Sequence, residues 1–398
     1  MPVVDLANRT LAQAWTRGVL TEPPLDPRAM IAKAERRENG ALDPGHWQEA
    51  LTVLTDDLQQ VAALNQLGRA VAHGQLVGIL RQRIRATRLW QSRPDILASP
   101  IQRPVIILGQ MRSGTTLTQR LLACDPRFSF TRLHETLWPL VRNRARARGL
   151  ASLVRTGLNL ANPLLRSAHP TAATAPEEEF GLHALSLHGA MFEAQWHVPT
   201  FARWCEERDL RPVYREFHQL LQALRWRRRE RPDSIQLLKA PQFMQDLDAV
   251  IDEFPDARIL MLAREPAEVM ASSASLVWNQ QRIQSDEADP RRIGREWRRK
   301  TMLREERARS VLERLPSSRV LRLDFAHLSA DWVREIRRVY DHLDLLLTPS
   351  VLARMRGVAR SATHRGHTYS PGQFGLDAEP SPDAALTICR PRYSKNQT

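Results

Sequence analysis

Cysteine is scarce: three in 398 residues, at positions 124, 205 and 389. They are too few and too far apart for a zinc ribbon or a disulfide framework, and this usage suggests a reducing compartment. Long hydrophobic runs are also missing. None approaches the roughly 20 residues that a membrane helix needs. The N-terminus, MPVVDLANRTLAQAW, has acidic and polar residues where a secretory signal carries its apolar core. The expectation is a soluble, cytoplasmic protein. Acidic residues are in deficit, 44 against 58 basic, for a net charge of +14. Such an excess suits a polyanionic partner, whether nucleic acid, acidic lipid or acidic glycan. However, the basic run RWRRRER at 225–231 comes with no RNA-binding motif or zinc-finger spacing. It reads as a solvated helix end, and nucleic acid is not the expected partner.

What is present centres on Pro104–Asp125, PVIILGQMRSGTTLTQRLLACD. Val105–Leu108 is a short apolar, β-branched run that reads as a buried strand. Leucines at 117, 121 and 122 recur at helical spacing, so a helix begins near Ser113–Thr116. A strand, a polar loop with two glycines and a helix N-terminus make an anion cradle, because loop N–H groups and aligned peptide dipoles both favour negative charge there. Residues 109–116 follow the spacing G-x-x-x-x-G-T-T. The lysine of a nucleoside-triphosphate loop is absent after Gly114; Thr115 stands in its place, and the cation is Arg112. A triphosphate hydrolase needs that lysine and a hydroxyl on magnesium.

The string Arg112-Ser113-Gly114-Thr115-Thr116 after an apolar strand resembles the 5′-phosphosulfate loop of sulfotransferases that use 3′-phosphoadenylyl sulfate (PAPS). The resemblance implies a P-loop-like α/β fold with Arg112 as loop cation. Three further segments extend it. In glycan and tyrosyl-protein sulfotransferases a glutamate some twenty residues past the loop cation is the general base, and Glu135 lies 23 residues after Arg112. Its pKa would need raising by burial to suit that task. His134 is the runner-up; neighbours on an extended segment face opposite ways. Ile235–Leu238 reads as a third strand and delivers Lys239-Ala240-Pro241-Gln242-Phe243, like the Lys-x-Pro-x-aromatic string whose lysine helps bind the transferring group. The apolar strand Arg258–Ala263 ends at Arg264, with Ser272 eight residues on. In the family such a pair binds the donor's 3′-phosphate, and Pro266 suits the first turn of the helix that would carry the serine.

Other segments are less telling. The triplet Glu177–Glu179 reads as the start of a helix, complementing its dipole. Met191–Thr200 reads as core aromatics, with an acceptor pocket as the alternative. The basic, glycine-containing stretch around Arg365 and His367 resembles the C-terminal loop that closes the donor site in PAPS enzymes, and residues past about 376 read as disordered.

The expected architecture is α/β: a P-loop-like parallel sheet flanked by helices over residues 101–350, a helical extension over 1–100 and a C-terminal lid and tail over 351–398. The expected activity is sulfuryl transfer from PAPS to an acceptor hydroxyl or amine, without metal. Arg112, Lys239 and Glu135 would be catalytic; Arg112, Ser113, Gly114, Thr115, Thr116, Arg264, Ser272 and Arg365 would bind the donor. The acceptor would be a glycan, lipid or small molecule, and the N-terminal helices could join copies of the chain. The alternatives are a P-loop kinase or hydrolase using ATP and magnesium, a nucleic-acid-binding module, and a catalytically idle donor-binding protein.

Overall fold

Five short strands form one sheet, ordered β2–β3–β1–β4–β5 and parallel throughout. They are β1 (Val105–Leu108), β2 (Phe128–Phe130), β3 (Ile235–Lys239), β4 (Arg258–Ala263) and β5 (Val320–Asp324). This computed structural model describes the chain except residues 142, 163–170, 362–369 and 377–398, and not the side chains of 161 and 361. The continuous apolar character of β1 and β4 follows from burial on both faces, as in parallel sheets covered by helices. Ile106, Leu108, Leu238, Ile259 and Met261 pack on one side with Tyr214, Phe217 and Phe243. Val105, Ile107, Leu237, Leu260 and Leu262 pack on the other with Leu121, Ile336 and Tyr340.

The strand order fixes where a ligand would sit. From β1 the chain crosses towards β2 on one side of the sheet, whereas from β4 it crosses to β5 on the other. The crevice between the carboxyl ends of β1 and β4 is therefore a topological switch point, the usual ligand position in open α/β sheets. In register, Ile107 stands opposite Lys239 of β3 and Leu260 of β4. The loop after β1 is thus flanked by the ends of both neighbouring strands.

Helices α1 (Pro2–Thr16), α2 (Pro27–Glu38), α3 (Trp47–Gln60) and α4 (Gln66–Ser92) occupy the N-terminal region. Helices α2 to α4 share a core with Phe192, Trp196, Phe201 and Cys205 from the middle of the chain. Asn65 ties this region to the far side, its backbone N–H and side-chain amide donating to the carbonyls of Gln284 and Ile283. The aromatics of 191–200 belong to this core: Phe192 and Trp196 are buried and stacked at 5.8 Å.

The run at 225–231 departs from the solvated helix end expected of it. Arg225 caps the carbonyl of Ser234, Arg227 those of Pro139 and Val141, and Arg228 holds Ser129, Glu135 and Glu230. Guanidinium groups can be buried where carbonyls and carboxylates satisfy their fixed fork of donors, and no local pattern announces those distant partners. Among the described residues, no helix is long and apolar enough to cross a membrane.

Candidate active site

The loop after β1 turns tightly before entering α5 (Thr115–Leu122). Ser113 Oγ donates to the carbonyl of Gln110 at 2.6 Å, and Thr118 N–H to that of Gly114 at 3.1 Å. Two residues adopt left-handed backbone, Arg112 at φ +69° and Gly114 at φ +90°. Glycine takes that region without strain, and at position 114 a Cβ would also lie 2.8 Å from the Phe325 ring. An arginine held there stores about 1–2 kcal/mol of backbone strain, the kind of local cost that ligand clamps tolerate.

Three predicted donor-binding residues meet beside this loop. Arg112 Nε donates to Ser272 Oγ at 3.0 Å, and Arg264 Nη1 donates to the Arg112 carbonyl at 2.6 Å. Arg264 stands at the end of β4 with its guanidinium 4.3 Å over Phe325, and it also pairs with Glu268 at 2.6 Å. Ser272 is buried on the helix Pro266–Gln284, which opens with proline in its first turn. Two guanidinium groups and a hydroxyl, on elements distant in sequence, thus converge at the switch point.

On the other flank, Lys239 closes β3 with its side chain only 1% exposed. Its ammonium donates to Thr116 Oγ1 at 3.2 Å and to Glu178 Oε1 at 2.6 Å. The Lys239 backbone N–H donates to Glu179 Oε2 at 2.8 Å. Glu179 is fully buried, and that burial pushes its carboxyl up to about 8 against the pull of the Lys239 amide and charge. Glu178 is held from a different direction: Thr136 Oγ1 donates to its carbonyl at 3.0 Å and accepts from Gly181 N–H at 2.9 Å. That packing requires glycine at 181, since a Cβ there would sit 1.8 Å from the Thr136 carbonyl oxygen.

A phosphate-type cradle with a displaced cation, a strand-end lysine on its threonine and an arginine–serine pair on the neighbouring strand and helix form one site. Residues 104–349 match the profile that defines the Sulfotransferase family. The chain belongs to the sulfotransferase family. Its fold is similar to that of sulfotransferase STF1 from Mycobacterium tuberculosis H37Rv, with 26% identity, a TM-score of 0.76, and 89% of this chain and 96% of that one covered. It is also similar to sulfotransferase STF9 from Mycobacterium avium, at 22% identity and a TM-score of 0.79, with 89% and 94% covered. No curated protein sequence matches it.

In this sulfotransferase Glu135 and His134 lie on the short helix α6 (Leu133–Leu137) rather than on an extended segment. Arg228 grips Glu135 with two bonds, Nε to Oε1 at 2.9 Å and Nη2 to Oε2 at 2.7 Å, and the Arg132 N–H donates to Oε2 at 3.0 Å. Burial works to raise the Glu135 carboxyl, but the Arg228 charge and hydrogen bonds outweigh it and hold the group below the usual carboxylate range. That direction is opposite to the one the sequence reading required of a base. Burial lowers His134, whose Nδ1 lies 2.7 Å from the Ala173 carbonyl. Arg365 and His367 lie outside the described residues.

Sequence reasoning assigned Glu178, Glu179 and Thr136 no role at the site. The acidic triplet was the available signal, but it reads equally well as dipole complement at a helix start. Glu179 is indeed the N-cap of the helix Phe180–His183, yet its carboxyl turns inward to Lys239. Among the described residues no group of three or more His, Cys, Asp or Glu side chains is set to hold a metal ion.

Proposed function

We propose that this sulfotransferase transfers the sulfuryl group of PAPS to an acceptor hydroxyl or amine by in-line displacement. The observation that carries the reading is the meeting of Arg112, Ser272 and Arg264 at the carboxyl ends of β1 and β4. A donor with phosphate on both the 3′ and 5′ positions needs two anion sites at one crevice. The residues present fit that demand: loop N–H groups and the start of α5 for one phosphate, a strand-end arginine with a helical hydroxyl for the other. PAPS supplies the sulfuryl group and leaves as 3′-phosphoadenosine 5′-phosphate.

The protein's contribution is positioning and electrostatic preorganisation, as in phosphoryl transfer. Arg112 and Lys239 stabilise charge developing on the sulfuryl and bridging oxygens, with Thr116 orienting the Lys239 ammonium. The resemblance gives proton abstraction to Glu135. Both carboxylates are paired, Glu135 through both oxygens with Arg228 and Glu178 through Oε1 with Lys239, and the reading supported best gives the acceptor proton to Glu178. That carboxylate touches the transferring-group lysine and is partly open to solvent, its side chain 17% exposed. A base must come within about 3 Å of the proton it removes, and Glu178 already borders the loop. Glu135 then braces α6, whose Thr136 anchors Glu178.

The deciding experiment titrates 3′-phosphoadenosine 5′-phosphate against ATP with magnesium, followed by transfer from labelled PAPS to a panel of hydroxyl compounds. The bisphosphate should bind at least about tenfold tighter, the worth of one charge-assisted contact. Arg112→Ala should lower turnover by about 10²–10³. Preferential ATP binding, or wild-type turnover in Arg112→Ala, overturns the reading.

A further inference from the structure

Gln110 follows Gly109 just past the end of β1 and is buried. Its side-chain amide leaves the loop and donates twice to the helix Pro290–Leu312, to the Thr301 carbonyl at 3.0 Å and to Glu305 Oε1 at 3.1 Å. Its own carbonyl accepts twice from Ser113, from the N–H at 3.3 Å and from Oγ at 2.6 Å. The carbonyl of Gln110 therefore shapes the turn that carries Arg112, while its side chain is fixed from outside the loop.

The strand side leaves that turn no slack. A Cβ at Gly109 would lie 2.7 Å from Ser113 Oγ and 2.9 Å from the Leu262 carbonyl oxygen. Arg112 is held at φ +69°, and a strained residue persists only where its surroundings over-determine it. Arg264 and Ser272 grip Arg112 itself, and the Gln110 amide fixes the start of the turn. Glu305 is an unusual choice of partner. Among the described residues no basic group pairs with it, although the chain has 58 lysines and arginines. A desolvated carboxyl without a cation costs stability, and beside an anion cradle its charge also opposes the ligand. What the carboxyl does at that position is hold Gln110.

We propose that Gln110 and Glu305 are positioning residues for the donor: through them the helix Pro290–Leu312 sets the loop after β1, and with it the place where Arg112 meets the 5′-phosphosulfate. The inference rests on the PAPS reading, since it takes this loop as the donor's seat.

The test is calorimetric titration of 3′-phosphoadenosine 5′-phosphate into the full chain and into Gln110→Ala, Glu305→Ala and Glu305→Gln. Each alanine variant should lose about 2–30-fold in affinity, the range for residues that act on a site without touching its ligand. Gln110→Ala/Glu305→Ala should lose no more than Gln110→Ala alone, because the two residues act through one contact. Glu305→Gln keeps an oxygen for the Gln110 amide and removes a negative charge, so it should bind at least as tightly as the wild type. A residue that only braces the fold would lower the melting temperature without this split between alanine and glutamine. Alanine suits a helix at 305, and unchanged circular dichroism certifies the fold. Wild-type affinity in the alanine variants overturns this proposal alone. Tighter binding by Glu305→Ala also overturns it, because Glu305 would then be a bystander charge, as do additive losses in the double variant. No binding of the bisphosphate by the wild type overturns the donor reading and this inference with it.

Discussion

Arg112 Nε and Ser272 Oγ are hydrogen-bonded at 3.0 Å although 160 positions separate them in the chain. The contact places the loop cation of β1 and the helix after β4 at one point. It also means that a ligand reaching one of these groups is within the field of the other, and of Arg264, which holds the Arg112 carbonyl. On the proposed reading, Arg264 and Ser272 together recognise the 3′-phosphate of the donor.

Ser272→Ala should therefore weaken 3′-phosphoadenosine 5′-phosphate by about tenfold or more, since its hydroxyl would donate to an anionic phosphate. Arg264→Ala should cost about 10–150-fold, the range for a bond to a charged group. Calorimetric titration with adenosine 5′-phosphate is the control, and its affinity should hardly change. Equal losses for both nucleotides would remove the pair from 3′-phosphate recognition.

The two glutamates separate by different readouts. Glu178→Gln should lower kcat by about 10²–10⁴, the span of general-base catalysis, and should also lower the melting temperature, because the buried Lys239 ammonium loses its charged partner. Glu135→Gln breaks a buried, bidentate pair with Arg228, and removing one member of such a pair costs about 3–5 kcal/mol of stability. Thermal melts and single-turnover rates on both variants check this. A stably folded Glu135→Gln with the larger kinetic loss would return the base to Glu135.

Stability should fall as pH rises towards 8. Full burial keeps Glu179 neutral in the folded chain up to about 8, whereas its ordinary value is 4.5. Between those values the unfolded chain has released the proton and the folded chain still holds it, so each step up in pH favours unfolding. Glu179→Gln mimics the neutral acid and keeps an oxygen for the Lys239 N–H. Its melting temperature should decline less than the wild type between pH 6 and 8. Parallel slopes would show that Glu179 does not carry this proton.

Gly114→Ala places a Cβ at φ +90° and 2.8 Å from Phe325. The backbone term alone is worth about 1–2 kcal/mol, and the ring must also shift. The expected outcome is a lower melting temperature together with weaker nucleotide binding, with Phe325→Ala in the same chain restoring only part of the stability. Full restoration would mean that the clash, not the left-handed backbone, was the constraint.

Much of this site can be read along the chain. The strand–loop–helix over 105–122, the apolar run Arg258–Ala263 and its terminal Arg264 are local patterns, because burial on both faces of a parallel strand and the turn chemistry of the loop leave their mark within a few residues. Arg227, Arg228 and the carboxylate of Glu135 are different. All three looked available for solvent or substrate, and all three are bound to partners that the sequence places about ninety residues away.

The sequence by itself determined the kind of cradle, the sign of its ligand and the strand ends that surround it, since these follow from backbone geometry and nearest-neighbour periodicity. Only the tertiary structure decided which carboxylate pairs with Lys239 beside the loop and which is locked by Arg228. A side chain's availability depends on what packs against it from remote elements, and Glu178 and Glu135 are both glutamates in polar stretches until Thr136, Gly181 and Arg228 are brought alongside them.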